Sequence, residues 1–234
     1  MTPMPGGELA SRPLHFIWIV DCSGSMSVIG KIQTLNTAIK EALPAMRKVA
    51  SENPNAQVLV RALKFSDGAQ WHVAQPTEVS QFNWTDLRAD GLTAMGKALS
   101  MVAEELDVSK MGELALPPVL VLISDGQPTD DFKKGLDELL SKPWGKKAVK
   151  IAIAIGADAD IDKLKEFTDH AEWEPLEANN SEQLVNYIRW ASTVVLKSAS
   201  QPASQTGEPS HAGPNVPIPQ PPSKNDMADA DEVW

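Results

Sequence analysis

The sequence contains one cysteine, Cys22, so the chain forms no disulfide bond within itself. A reducing compartment is the expected environment for such a chain. No apolar run approaches the roughly 20 residues that a membrane-spanning helix needs. The first residues also lack the basic and apolar regions of a secretory signal peptide. These absences predict a cytoplasmic protein that does not bind a membrane.

Basic residues are outnumbered, with 21 Lys and Arg against 31 Asp and Glu, and the formal net charge is −10. Binding to nucleic acid through its phosphates requires a basic surface. The composition therefore predicts that nucleic acid is not a partner. The sequence has four histidines, scattered along the chain, and none is assigned to a functional site.

Apolar runs alternate with segments of helical periodicity over residues 14–197. Five runs predict strands, and a Ser66-Asp67-Gly68 turn predicts that one of them returns antiparallel at a sheet edge. A further short strand is predicted over 173–176. The order predicts a doubly wound α/β fold, in which helices flank both faces of a mostly parallel six-stranded sheet. The predicted strands cover residues 16–20, 58–65, 70–74, 119–123, 151–155 and 173–176.

Two details of the helices are predicted from single residues. Pro44 interrupts the apolar periodicity of the first helix, which predicts a kink or a break there. The last helix is predicted to begin at an N-cap formed by Ser181, with Glu182 in its first turn.

Composition changes near residue 198, which predicts three parts of the chain. Residues 1–13 are expected to be a flexible N-terminus, and residues 14–197 the folded domain. The last 37 residues contain seven prolines and carry a net charge of −4. They predict a disordered acidic tail, with polyproline character over 214–222.

Three oxygen-bearing side chains, those of Asp21, Ser23 and Ser25, follow the first strand. The apolar run before them predicts a strand buried on both faces. The three residues then lie in the turn at its carboxyl end, where open α/β sheets bind ligands. Small oxygen ligands at this spacing suit a hard cation such as Mg²⁺.

Two further segments are expected at the same edge of the sheet. Thr93 stands at a predicted helix start, between Gly91 and Gly96, which permit close approach of the backbone. Asp125 follows the strand at 119–123. Because the carboxyl ends of adjacent parallel strands lie side by side, we expect Asp21 and Asp125 to be a few ångströms apart.

With these motifs the sequence resembles the von Willebrand factor A domain family, over roughly residues 14–196. Asp21-Cys22-Ser23-Gly24-Ser25 matches the Asp-Xaa-Ser-Xaa-Ser motif of that family, and Thr93 and Asp125-Gly126 match its isolated Thr and late Asp. The resemblance implies a sheet order of 3-2-1-4-5-6 and a metal-ion-dependent adhesion site. The residues of this site would be Asp21, Ser23, Ser25, Thr93 and Asp125.

Residues 124–130 and the chain length resemble the bacterial TerY-type branch of the family, which is found beside tellurium-resistance genes. This resemblance implies a role in stress response. It also implies a protein kinase and a metal-dependent phosphatase as partners.

The resemblance implies metal-bridged binding rather than catalysis. Ser23, Ser25 and Thr93 would be neutral ligands of Mg²⁺, or of Mn²⁺ or Ca²⁺, while Asp21 and Asp125 bind the ion directly or through water. Two carboxylates only balance the charge of the ion. One open position can therefore accept a carboxylate from a protein partner, and the predicted protein is a non-enzymatic interaction module that acts as an adaptor.

Enzyme motifs at the first strand are incomplete. A dehalogenase-like phosphatase needs a second Asp where this chain has Ser23. The elbow of serine hydrolases needs glycines where Asp21 and Ser25 stand. A phosphate-binding loop of the Walker type is absent there. A metal-dependent phosphatase-like enzyme stays as an alternative to the binding module.

Other interpretations also remain open. The same Ser and Asp residues can be turn and helix-cap residues without a metal. The metal site can be structural, with residues 229–234 docking a partner through Trp234. A tail carboxylate can also fill the metal site itself.

Several residues near the predicted site have an expected role outside metal binding. Cys22 is expected to pack rather than to react, and Ser124 to be a cap or a supporting hydroxyl. A group of four aspartates is expected to form either an acidic rim or a solvated surface. They are Asp67, Asp90, Asp130 and Asp131.

Overall fold

The structure, a computed structural model, describes residues 11–168, 174–200 and 219–223. The strands are β1 (Arg12–Asp21), β2 (Ala56–Phe65), β3 (Ala69–Glu78), β4 (Val119–Ser124), β5 (Val149–Ile155) and β6 (Leu176–Ala178). They form one sheet in the order β3-β2-β1-β4-β5-β6. β3 is antiparallel to β2, and the other neighbouring pairs are parallel. The predicted α/β fold class is confirmed.

Helices cover both faces of the sheet. They are α1 (Lys31–Ser51), α2 (Met95–Ala103), α3 (Val108–Met111), α4 (Phe132–Ser141), α5 (Pro143–Lys147), α6 (Ile161–Thr168), α7 (Ser181–Trp190) and α8 (Leu196–Ala199). A 3₁₀ segment (Gly24–Gly30) precedes α1, and a π-helical turn (Ala191–Val195) joins α7 to α8. The buried residues of α1 and α7 share one core, and those of α2, α4 and α6 share the other.

The central strand β1 separates these two cores. Phe16 and Trp18 lie in the core beneath α1 and α7, whereas Ile17 and Ile19 lie in the core beneath α2 and α4. Successive side chains of a strand point to opposite faces, so a strand covered on both sides is apolar throughout. This placement explains the uninterrupted apolar run in the sequence.

Two predicted details of the helices differ in part from the structure. The helix α1 is continuous through Pro44, so the predicted break does not occur, because its apolar face is buried from Ile32 to Met46 and this burial offsets the lost hydrogen bond. The N-cap of α7 is Asn180 rather than Ser181, since the Asn180 side chain accepts from the Gln183 N–H at 2.9 Å.

The last strand is shorter than the other five. Strand β6 begins at Leu176, later than predicted, and the predicted start of that strand falls partly outside the described residues. Most of the predicted flexible N-terminus and acidic tail lies there too, so the domain boundaries stay predictions. No helix in the described part of the chain is long and apolar enough to cross a membrane.

The helices α2 and α4 are in backbone contact, which sets the position of the loops before them. A Cβ atom added at Gly135 would lie 2.0 Å from the Gly96 carbonyl oxygen. One added at Gly96 would lie 2.3 Å from the Asp131 carbonyl oxygen. Only glycine permits this approach at either position.

A buried histidine lies on β1, outside the loops at its carboxyl end. The His15 side chain is buried near Arg61, whose guanidinium donates to Glu105 at 2.8 Å. Burial, together with the positive charge of Arg61, lowers the pKa of His15 to about 4. Between pH 6.5 and 4, His15 is therefore protonated in the unfolded chain but stays neutral in the folded protein.

We predict that His15→Gln removes part of the acid sensitivity of folding. For the wild type, this residue lowers the free energy of unfolding by about 3 kcal/mol as the pH falls from 6.5 to 4. Urea unfolding at a series of pH values measures this slope for both proteins. His72→Gln is the control, because that partly exposed ring should change the slope less. Equal slopes for wild type and His15→Gln would contradict the prediction.

Candidate metal centre

Asp21 is the last residue of β1 and its carboxylate is fully buried. Val20 pairs with Ile123 in the parallel ladder, which brings Asp21 next to Ser124 at the end of β4. The Ser124 hydroxyl donates to Asp21 Oδ2 at 2.5 Å, and the Ser23 N–H donates to Oδ1 at 2.8 Å. Ser124 therefore has the expected supporting role.

The environment of Asp21 disfavours its charged form. Burial raises the pKa of this carboxyl to about 6, although the hydrogen bonds from Ser124 and Ser23 act in the opposite direction. The negative charge of Asp125 contributes to this raised pKa. A nearby cation would offset this cost.

The serines of the predicted motif connect the two carboxylates. Ser23 Oγ lies 2.9 Å from Ser25 Oγ, and Ser25 Oγ donates to Asp125 Oδ1 at 2.7 Å. Ser23 and Asp125 are buried, whereas Ser25 is exposed. The cluster therefore opens to solvent on the side of Ser25.

Thr93 is brought to the same place by the loop after β4. The Thr93 N–H donates to Thr129 Oγ1 at 3.1 Å, and the Thr129 N–H donates to the Thr93 carbonyl at 2.9 Å. A Cβ atom built at Gly126 would lie 3.2 Å from Thr93 Oγ1 and 3.7 Å from Asp21 Oδ2. All five predicted site residues thus gather at the carboxyl edge of the sheet.

A lysine that the sequence analysis did not identify also enters this cluster. Lys31 is the first residue of α1 and is buried, and its Nζ lies 2.8 Å from Asp125 Oδ2. Thr129, described above, is the other missed residue. Neither follows a recognisable motif, because their partners lie 94 and 36 residues away in the sequence.

The donor set fits a hard divalent cation. Two carboxylates and three hydroxyls supply small oxygen ligands, and Gly126 leaves space beside Thr93 and Asp21. Among the described residues, no group of three His, Cys, Asp or Glu side chains could hold a metal ion. The three hydroxyls would supply the remaining protein ligands beside the two carboxylates.

The four aspartates near the edge have structural partners. Asp67 accepts from the Leu92 N–H, and Asp90 accepts from the Gly91 N–H. Asp130 accepts from the first turn of α2, and Asp131 caps α4. These carboxylates fix loops and helix starts, a role that the sequence analysis did not assign to them.

Cys22 is buried within the core beneath α1. Burial raises the pKa of its thiol to about 12, and the charge of Asp21 adds to this effect. A thiol in this state is a weak nucleophile. The structure agrees with the prediction that Cys22 packs rather than reacts.

Exposed apolar side chains border the cluster. Val28, Ile29 and Leu92 are 51%, 60% and 60% exposed, and they account for three of the five large apolar side chains exposed in the described residues. They lie on the two loops that carry Ser25 and Thr93. These loops are joined by a hydrogen bond of 2.9 Å from the Gly24 N–H to the Gly91 carbonyl. We call Val28, Ile29 and Leu92 the apolar rim.

Backbone strain accompanies this rim. Ile29 has a φ of 48°, which is the left-handed region that β-branched residues rarely adopt. Such a conformation costs of the order of 1–3 kcal/mol and is concentrated at functional sites.

The comparisons with known proteins agree with this geometry. A sequence profile of the von Willebrand factor type A domain matches residues 17–187, so the chain belongs to this family. No curated protein matches the chain.

Solved structures share the fold at low sequence identity. A von Willebrand factor type A protein from Catenulispora acidiphila has a TM-score of 0.61 at 17% identity, over 81% of this chain and 43% of its own. The pilus adhesin SpaC of Lactobacillus rhamnosus GG has a TM-score of 0.61 at 15% identity, over 80% and 31%. Proximal thread matrix protein 1 of the mussel byssus, with a zinc-occupied MIDAS motif, has a TM-score of 0.58 at 16% identity, over 83% and 49%. The match covers less than half of each of these solved chains.

We predict that Gly126→Ala weakens divalent cation binding about tenfold without unfolding the protein. The added methyl group would lie 3.2 Å from Thr93 Oγ1, so Thr93 must move by a few tenths of an ångström. Isothermal titration with MgCl₂ measures the affinity. Gly68→Ala is the control, because its methyl group would meet only the mobile end of Lys97. An unchanged affinity in Gly126→Ala would place the cation elsewhere.

Proposed function

We propose that this chain is a divalent-metal-dependent protein-interaction module. The observation that carries the proposal is the gathering of five oxygen-bearing side chains at one sheet edge, bordered by exposed apolar residues. Hard oxygen ligands favour Mg²⁺, with Mn²⁺ or Ca²⁺ as alternatives. The zinc-occupied motif of the mussel matrix protein supports a divalent cation at the corresponding place in this fold.

The apolar rim supports a protein as the partner rather than a small anion. Exposed apolar side chains next to a polar site are typical of protein-interaction surfaces. The occupant we propose is a protein segment that presents an Asp or Glu carboxylate to the metal. An apolar side chain next to that carboxylate would pack against Leu92. The strained, exposed loop at Ile29 is consistent with such a contact.

A non-enzymatic role is supported by the chemistry of the cluster. The two histidines in the described residues lie elsewhere: His15 is among the core residues, and His72 contacts the Thr85 carbonyl at 2.9 Å. Ser23 bonds to Ser25, and Ser25 donates to Asp125, a carboxylate that is already paired with the Lys31 ammonium. The similar solved structures include an adhesin and a matrix protein.

The finer biological role is proposed from the sequence resemblance alone. It comprises a cytoplasmic adaptor of the TerY-type branch, acting in stress response with a protein kinase and a metal-dependent phosphatase. A scaffold with a structural metal and a docking tail is the second candidate. Its sequence support is the Trp234 end of the acidic tail, which lies outside the described residues.

We predict that Asp21→Ala abolishes divalent-dependent capture of partner proteins. The purified chain serves as bait in cell extract, with MgCl₂ or with a chelator, and captured proteins are quantified by mass spectrometry. Partners that elute with chelator should be lost from Asp21→Ala and kept by Asp86→Ala, a change at an exposed aspartate that pairs with Lys40.

Two results would contradict the proposed function. Equal capture by Asp21→Ala, accompanied by a lower melting temperature, would indicate a structural metal and favour the scaffold. Phosphatase turnover that disappears in Asp21→Ala would establish an enzyme instead.

We predict that Leu92→Ser reduces the chelator-sensitive capture severalfold without changing cation affinity. The substitution removes exposed apolar area at the site but no predicted metal ligand. Leu114→Ser is the matched control, since Leu114 is also exposed and contacts Arg12 at the opposite end of the sheet. Equal losses in both variants would show that the apolar rim has no special role.

A further inference from the structure

The buried ion pair between Lys31 and Asp125 is not explained by metal binding alone. The Lys31 side chain is 8% exposed and that of Asp125 is 0% exposed, and their charged atoms lie 2.8 Å apart. A buried lysine is rare because its ammonium loses its hydration. Such a residue therefore needs a compensating role.

Each carboxylate oxygen of Asp125 accepts a hydrogen bond from another side chain. Its Oδ2 accepts from Lys31 and its Oδ1 accepts from Ser25. A cation that binds through Asp125 must displace the ammonium or remain close to it. Like charges in a buried site repel more strongly than on the surface. In both cases, cation binding becomes weaker.

The charge of the cluster depends on the same lysine. Asp21 and Asp125 carry two negative charges, so a divalent cation alone would give a neutral site. With Lys31 included, the loaded site has a charge of +1. A positive site attracts a carboxylate more strongly than a neutral one.

We infer that Lys31 is an internal counter-ion, which lowers the affinity of the site for divalent cations and keeps the loaded site positive. In the absence of a cation, the ammonium stabilises Asp125. With a cation bound, it favours an anionic partner. This role rests on the proposed metal-dependent function, and it adds a control of cation affinity and of partner charge.

Lys31→Met tests the inference, because methionine keeps the length of the side chain and removes its charge. Isothermal titration with MgCl₂ and with MnCl₂ should show at least about tenfold tighter binding than in the wild type. Lys40→Met is the matched control, since it is the same substitution at an exposed position of the same helix. Its affinity should equal that of the wild type.

Thermal unfolding separates this role from a purely structural one. In chelator, Lys31→Met should melt at a lower temperature than the wild type, because the buried Asp125 carboxylate loses its counter-ion. On addition of MgCl₂, its melting temperature should rise by more than that of the wild type. A structural role alone would lower the melting temperature equally with and without the cation.

The outcomes distinguish the inference from the proposed function. Equal or weaker cation binding in Lys31→Met, with normal binding in the wild type, overturns the inference alone. Failure of both proteins to bind cation overturns both. If Lys31→Met does not fold, Lys31→Gln gives the same comparison, because its neutral amide can still donate to Asp125.

Discussion

The burial of β1 between two helix layers is the constraint on which the rest of this molecule depends. Because the strand is covered on both faces, its carboxyl end is fixed at the centre of the sheet edge, and Asp21 is its last residue. Burial there raises the pKa of Asp21 to about 6. The loops around this carboxylate supply hydroxyls, a second carboxylate and an ammonium. The polar cluster is thus a consequence of where an apolar strand ends.

Most of the fold could be predicted because buried strands appear in the sequence as runs of apolar residues. β1, β4 and β5 each contain an apolar run of five residues, at 16–20, 119–123 and 151–155, which is typical of parallel strands covered on both faces. The Ser66-Asp67-Gly68 turn identified the antiparallel edge. Single-residue signals were less reliable, since the buried face of α1 overrides Pro44 and the cap of α7 is one residue earlier than Ser181. Tertiary packing determines such details, and a local sequence pattern carries no information about that packing.

Some residues of the candidate site could likewise be predicted from the sequence, and others could not. Asp21 and Asp125 could be placed together because both follow buried strands that lie next to each other in the sheet. Lys31 could not, since a lysine at a helix start is usually solvated, and its ion pair joins residues 94 positions apart. Thr129 is similar, because its bonds to Thr93 join two loops that lie 36 residues apart in the sequence. Sequence motifs show the ligands, whereas the groups that position and balance them become visible only in three dimensions.

The segment from Ser23 to Lys31 combines three properties that are separate in chemical terms. It carries two of the hydroxyls, two members of the apolar rim and the ammonium that pairs with Asp125. Ile29, a member of the rim with a φ of 48°, lies two residues before the lysine. A change in this strained turn would therefore alter metal ligation, the partner surface and the local charge together. Because these nine residues carry all three properties, the binding of the cation and the binding of the partner depend on the same backbone segment. Such a shared segment is the physical requirement for coupling the two binding events.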